Sequence, residues 1–342
     1  MKKSFITNVL KKTVAMTAAC SLLLTGCGSA AGTASPAAGS GELTKVRVGT
    51  DTMQLAYAQI IGKQNGYYEE NGIDVQITTY AAGIETINAI MTGAEDIGAA
   101  YDYALSTRLI PDTKLRMVSA FVTNADGSYW YDACDEDVKT PADLKGKNIG
   151  ITKGTIEEYL LAKELENGRL TMDDITVSYL SSDGEVTAAY VAGQVDAIIA
   201  LKPFTEEINK TEGHHIVNTT GDIGITSQGF IAADSAFAAE HSDAVAAYLK
   251  GTQQAIDFIN SNKDEAAQIC ADYLTVTKED VLASFDSFTF DVRYSEDDHQ
   301  HLQDMADWCV ANGVLENETQ VNDFTDLTPL KTALPEKVTC KD

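Results

Sequence analysis

The sequence predicts an α/β protein made of two lobes of similar topology, and three observations carry that reading. A segment near residue 90 repeats about 100 residues later, each copy sits in an alternation of strand and helix patterns, and the chain beyond Ser235 is almost wholly of helical pattern. A hydrophobic fraction of 44% excludes a wholly disordered chain.

The first element is an address rather than a fold. Lys2, Lys3, Lys11 and Lys12 precede an apolar run from Val14 to Leu24, which is too short for a membrane-spanning helix and fits the core of a signal peptide. Leu24-Thr25-Gly26-Cys27 follows and resembles the lipobox of bacterial lipoproteins, which implies cleavage after residue 26 and lipidation of Cys27. Two acyl chains on that cysteine suffice for stable anchoring. Residues 28–41, GSAAGTASPAAGSG, carry no charge and read as a flexible tether, so residues 27–43 form the anchor and linker and folded structure begins at Thr44.

The repeat then orders the body. INAIMTGAEDIGAAY (87–101) aligns without gaps on TAAYVAGQVDAIIAL (187–201), placing Gly93 on Gly193 and Asp96 on Asp196. Each copy reads as a helix stopped by glycine, a polar corner and a short apolar strand. Upstream, Ile73, Val75 and Ile77 match Ile175, Val177 and Tyr179, and the strand at Val46 and Val48 matches the one at Ile149 and Ile151. Each unit is thus strand, helix, strand, helix, strand, the pattern of a parallel sheet. Helix starts are predicted by Thr140-Pro141 with Asp143, Thr155 with Glu158, and Ser182 with Glu185. Crossovers between lobes are expected near Asn124–Gly127 and near Ser227–Gly229, giving lobe one as 44–124 plus 228–342 and lobe two as 125–227.

Charge and cysteine content narrow the function classes. Lys and Arg number 25 against 51 Asp and Glu, a net charge of -26, and loss of residues 1–26 with their four lysines takes it to -30. That balance excludes a phosphate-binding footprint, so no nucleic acid partner is expected. Beyond Cys20 and Cys27, the cysteines are Cys134, Cys270, Cys309 and Cys340, with no zinc-ligand spacing among them; Cys270 with Cys309 is one conceivable disulfide of an exported protein. His214-His215 reads as a surface turn. Asp297-Asp298-His299-Gln300-His301 with Asp304 reads as an acidic helix start, with a metal site as the alternative. No cofactor is expected. Adjacent Glu157 and Glu158 do not face one another on a helix, so paired-carboxylate catalysis has no support from spacing.

If two such lobes face each other, ligand binds where the strands end and the helices begin. The candidate residues in lobe one are Asp51, Thr52, Tyr80, Gly83, Tyr101, Asp102 and Tyr103; in lobe two they are Thr152, Gly154, Thr155, Asp183 and Phe204. Hydroxyls and glycines at helix starts suit an oxyanion. The six loops carry no arginine, only Lys153 and Lys202, while their tyrosines and aspartates suit a planar ring or an ammonium group. The bland alternative makes the tyrosines half-buried core and the aspartates helix caps.

The lipobox, the repeat, QNGYYEENGIDVQI (64–77), INAIMTGAEDIG (87–98), DLKGKNIGITKGT (143–155) and AGQVDAIIA (192–200) resemble the nitrate, sulfonate and taurine class of ABC-importer substrate-binding proteins, whose superfamily includes binders of thiamine-pyrimidine precursors. The resemblance implies a type II periplasmic-binding fold, hinge closure on a small solute, and delivery by a monomer to an ABC permease and its ATPase outside the cytoplasmic membrane. A sensor or accessory subunit for a membrane signalling protein is the alternative. A pyrimidine synthase of the same superfamily needs a cysteine-rich run absent here. At 154–161 the chain departs from the sulfonate binders, placing Glu157 and Glu158 where those carry small or polar residues.

Overall fold

The computed structural model describes residues 43–124, 130–201 and 204–340; the signal segment, Cys27, the tether and the predicted site neighbours Lys202 and Pro203 lie outside the described residues. The first stretch forms β1 (Thr44–Thr50), α1 (Gln54–Gln64), α2 (Tyr67–Glu70), β2 (Ile73–Thr79), α3 (Gly83–Thr92), β3 (Ile97–Tyr101), α4 (Asp102–Ser106) and β4 (Leu115–Thr123). The middle forms β5 (Trp130–Cys134), β6 (Asn148–Thr152), α5 (Ile156–Asn167), β7 (Thr176–Leu180), α6 (Asp183–Val191), β8 (Ala197–Leu201), α7 (Thr205–Ile208) and β9 (His215–Thr219). The chain then returns through β10 (Gln228–Asp234) into α8 (Ser235–Glu240), α9 (Ser242–Ser261), α10 (Lys263–Leu274), α11 (Lys278–Ser287), β11 (Thr289–Arg293), α12 (Glu296–Ala311) and α13 (Thr328–Ala333).

Two sheets result, a six-stranded one ordered β11-β4-β10-β3-β1-β2 and a five-stranded one ordered β7-β6-β8-β5-β9. Their cores are the parallel trios β2-β1-β3 and β7-β6-β8, matched strand for strand by the internal repeat. The sheets are nevertheless mixed rather than parallel throughout. β10 runs antiparallel between β3 and β4, and β5 runs antiparallel to β8 and β9. A strand entering a sheet from the other sheet starts at the end where the parallel strands finish, so it must run against them. The C-terminal region, expected to be almost wholly helical, also contributes a strand, β11.

The repeated corner has one construction in both halves. Gly93 and Gly193 take positive φ of 79° and 65°, ending α3 and α6 in the left-handed conformation that glycine adopts without cost. Asp96 then accepts from the Arg47 N–H at 2.8 Å, and Asp196 accepts from the Asn148 N–H at 2.8 Å, so each aspartate ties the corner to the first strand of its unit. Close packing fixes the helices behind the first sheet. Tyr68, fully buried, stacks on Tyr248 of α9 at 5.3 Å between centroids and shares a hydrogen bond with Thr252 at 3.1 Å. It fits because α1 and α9 present Gly62 and Gly251, where a Cβ would lie 2.7 Å and 2.6 Å from the ring.

Where the chain leaves the six-stranded sheet and where it returns to it, the Asn124 N–H donates to the Ser227 carbonyl at 2.9 Å. No helix of the described residues is long and apolar enough to cross a membrane. Cys134, Cys270, Cys309 and Cys340 form no disulfide, so the conceivable Cys270–Cys309 pair is not made. The His/Asp run at 297–304 is an acidic helix start: Ser295 and Asp298 form a capping box, Asp298 pairs with Arg293 at 2.8 Å, and His301 turns towards Asp102.

Candidate functional site

The ends of β1, β3, β6 and β7 meet across the gap between the sheets, where a small cavity of about 50 Å³ lies. Five of the sequence-predicted residues line it: Asp51, Gly83 and Tyr101 from the six-stranded half, Thr155 and Asp183 from the five-stranded half. Gly83 is required there by space, since a Cβ would stand 3.1 Å from Leu55 and 3.2 Å from the Ala100 backbone. An open groove of about 540 Å³ adjoins it, sharing Ala82 and Ile84, and takes in Tyr103 and Gly154 together with Arg108, Lys153 and Glu158. Gly154 takes φ +75°, which turns its N–H towards Glu158 at 2.9 Å.

The remaining predicted residues stand elsewhere. Thr52 is exposed, and Tyr80 donates its hydroxyl to Glu95 at 2.9 Å, away from the gap. Thr152 lies behind the cavity wall, its hydroxyl donating to Asp183 at 2.5 Å, and Phe204 sits over Gly184, 3.7 Å from where a Cβ would be. Asp102 is fully buried and faces inward, accepting from the Tyr103 N–H at 2.8 Å, the Gln228 N–H at 3.0 Å and His301 Nε2 at 2.6 Å. It therefore ties α12 to the start of β10, beside the second crossover, and positions structure instead of lining the cavity.

Sequence reasoning missed Gln54 and Glu157 in the cavity wall. The signal for Glu157 is a helical period: Glu157, Leu160, Leu161 and Glu164 are all buried and fall on one face of α5. Pairing it with its neighbour Glu158 obscured that face. Glu158 points the other way, where it accepts from the Tyr103 hydroxyl at 2.6 Å and so bonds α5 to α4 across the gap. Next to this bond Tyr159 of α5 meets Trp308 of α12 edge-on at 4.9 Å.

The electrostatics of the cavity are one-sided. Burial pushes Asp51 up to about 7, with the charge of Asp183 adding to the effect and the Met53 N–H opposing it. Burial raises Glu157 well above the usual carboxylate range, helped by Asp183 across from it, and burial raises Asp183 too. Four backbone donors around the cleft are filled by the chain's own carboxylates. Met53 N–H gives to Asp51 at 2.9 Å, Ala81 N–H to Glu85 at 2.9 Å, Gly154 N–H to Glu158 at 2.9 Å, and Ser181 N–H to Glu185 at 3.1 Å. Two expected capping boxes accordingly shift by one residue: Thr155 and Ser182 do cap their helices, but Glu158 and Glu185 reach back to the residue before each cap.

The comparisons with known proteins agree with this architecture. A Bacillus subtilis (strain 168) protein named for aliphatic sulfonate binding is 25% identical over 96% of this chain and 98% of its own length. The formylaminopyrimidine-binding protein of Halalkalibacterium halodurans is 26% identical over 60% of this chain and 63% of its own. The alkanesulfonate-binding protein SsuA of Xanthomonas axonopodis pv. citri, solved with MOPS bound, superposes with a TM-score of 0.72 at 21% identity, covering 84% of this chain and 99% of that one, which shows the periplasmic-binding-protein fold. The NMT1/THI5-like family profile matches residues 56–266, more than half of the chain, and the chain therefore belongs to the NMT1/THI5-like family of solute-binding proteins.

Proposed function

We propose that the protein is the lipid-anchored, extracytoplasmic binding component of an ABC importer, closing on a small organic solute between two lobes formed by 44–124 with 228–342 and by 125–227. The observation that carries this reading is the cavity walled jointly by residues of both sheets at the C-terminal ends of their parallel strands. Two crossover segments joined at Asn124 and Ser227 supply a hinge, and the Tyr103–Glu158 bond with the Tyr159–Trp308 contact closes the opposite lip. The anchor at Cys27 and the tether would keep this acidic body near the membrane and its permease.

The test is a thermal-shift screen of the chain from Gly41 onward against sulfonates, nitrate, pyrimidines, purines and small amines, with Trp308 fluorescence read in parallel. A solute at a hundredfold its Kd adds about 2.7 kcal/mol and changes the indole environment on closure. A solute that stabilises the protein equally well after the cavity is filled by Gly83→Leu would refute the cavity assignment. Expression of a Cys27→Ala variant tests the anchor separately, since the variant should leave the membrane fraction.

A further inference from the structure

The cavity that this reading assigns to the solute is built for positive charge. We propose that the solute enters it with a protonated nitrogen head, an ammonium or amidinium, held by Asp51, Glu157 and Asp183. This inference rests on the solute-binding reading and adds the class of solute.

Three independent observations carry it. First, carboxylates converge on one small space from both halves, and among the described residues no Lys, Arg or His lines it. Secondly, Asp51 and Glu157 are only 6% and 1% exposed, yet among the described residues neither meets a cation: Asp51 is held by backbone N–H groups, Met53 among them, and Glu157 by the Thr152 N–H and by Asp183. Other buried carboxylates in this chain take a side-chain donor, Asp298 from Arg293, Asp102 from His301, Glu95 from Tyr80 and Glu164 from Asn218. Ionising a buried carboxylate with no cation beside it is expensive, so a cleft that gathers three such groups is arranged for a cation that arrives from outside. Thirdly, four loop N–H groups that could greet a sulfonate or nitrate, those of Met53, Ala81, Gly154 and Ser181, are occupied by Asp51, Glu85, Glu158 and Glu185. An oxyanion would have to displace a carboxylate from each donor and then sit beside it.

Size and shape fit a head group. A space of about 50 Å³ holds a few heavy atoms, and the larger groove it adjoins takes the rest of the solute. Tyr101 and the Gln54 carbonyl stand in the same wall, offering an aromatic face and a neutral acceptor to complete the shell of a nitrogen cation.

The experiment is a thermal-shift and calorimetric titration of the mature chain at pH 8 with ethylammonium and acetamidinium chlorides, ethanesulfonate and nitrate, at matched ionic strength. The expected result is stabilisation by at least one cation and by neither anion. Asp51→Asn and Glu157→Gln should raise the melting temperature of the unliganded protein while weakening the cation at least tenfold, a pair of effects that misfolding cannot produce. Stabilisation by ethanesulfonate or nitrate but not by the cations would overturn the charge assignment and leave the solute-binding reading standing. Silence towards all four would count against both, and undiminished cation affinity in the two variants would place the cation elsewhere.

Discussion

Two sets of carboxylates in this protein are held in opposite ways. At the repeated corners, Asp96 and Asp196 each receive a backbone N–H of the first strand, and Asp96 also receives the Arg47 guanidinium at 3.1 Å from Nε. At the cleft, Asp51, Glu157 and Asp183 share one cavity, and among the described residues no cation lines it. Corner carboxylates close local loops of backbone and so are present in both halves. Cleft carboxylates weaken the empty protein, which makes sense only if something else compensates them.

That contrast can be broken from either side. The largest effect expected is of pH on the unliganded protein. In the folded state Asp51 holds its proton up to about 7, whereas an unfolded aspartate loses it near 3.8, so the folded state binds more protons between those values and stability falls as pH rises through that window. Glu157 and Asp183, also raised, act in the same direction. Unfolding followed from pH 5 to pH 8 should show a loss on the order of a few kcal/mol, and Asp51→Asn should flatten it. A stability that climbs with pH would contradict the cleft electrostatics.

Removing a corner carboxylate should cost somewhat less. Asp96→Ala strands a backbone N–H and an arginine and is expected to lose about 3 kcal/mol, and Asp196→Ala about 2 kcal/mol, in urea denaturation. Equal and negligible losses would show the corners to be dispensable. Gly251→Ala, which drives a methyl into the Tyr68 ring, should cost about 1–3 kcal/mol and leave solute affinity intact, because the clash lies behind the first sheet. Tyr103→Phe deletes the hydroxyl bond to Glu158 across the cleft and should weaken solute binding by about 1 kcal/mol, with a faster off-rate seen in Trp308 fluorescence. Arg47→Asn makes the first corner resemble the second and should cost under about 1 kcal/mol, since the arginine side chain is 47% exposed.

The framework was legible because its determinants are local. A helix ending at Gly93 or Gly193 needs only a residue free to take positive φ, and the aspartate three positions later meets a strand whose place is dictated by the same short unit. The candidate site was legible in part. Asp51, Gly83, Tyr101, Thr155 and Asp183 follow from knowing where strands end, whereas Asp102 sits in an equivalent loop and turns inward because His301, 199 residues away, comes to meet it. Glu157 was readable from the buried face it shares with Leu160 and Leu161, once freed from its pairing with Glu158.

By itself the sequence determined the signal-like N-terminus, the acidic balance, the two repeat units and the caps of their helices, because charge, periodicity and turn chemistry act within a few residues of their source. Tertiary structure alone decided that β10 and β5 enter their sheets antiparallel, that α4 bonds to α5 through Tyr103 and Glu158, and that three carboxylates share one cavity. Those outcomes depend on contacts between residues distant in sequence, where the cost of bringing like charges together appears only when the chain has closed around them.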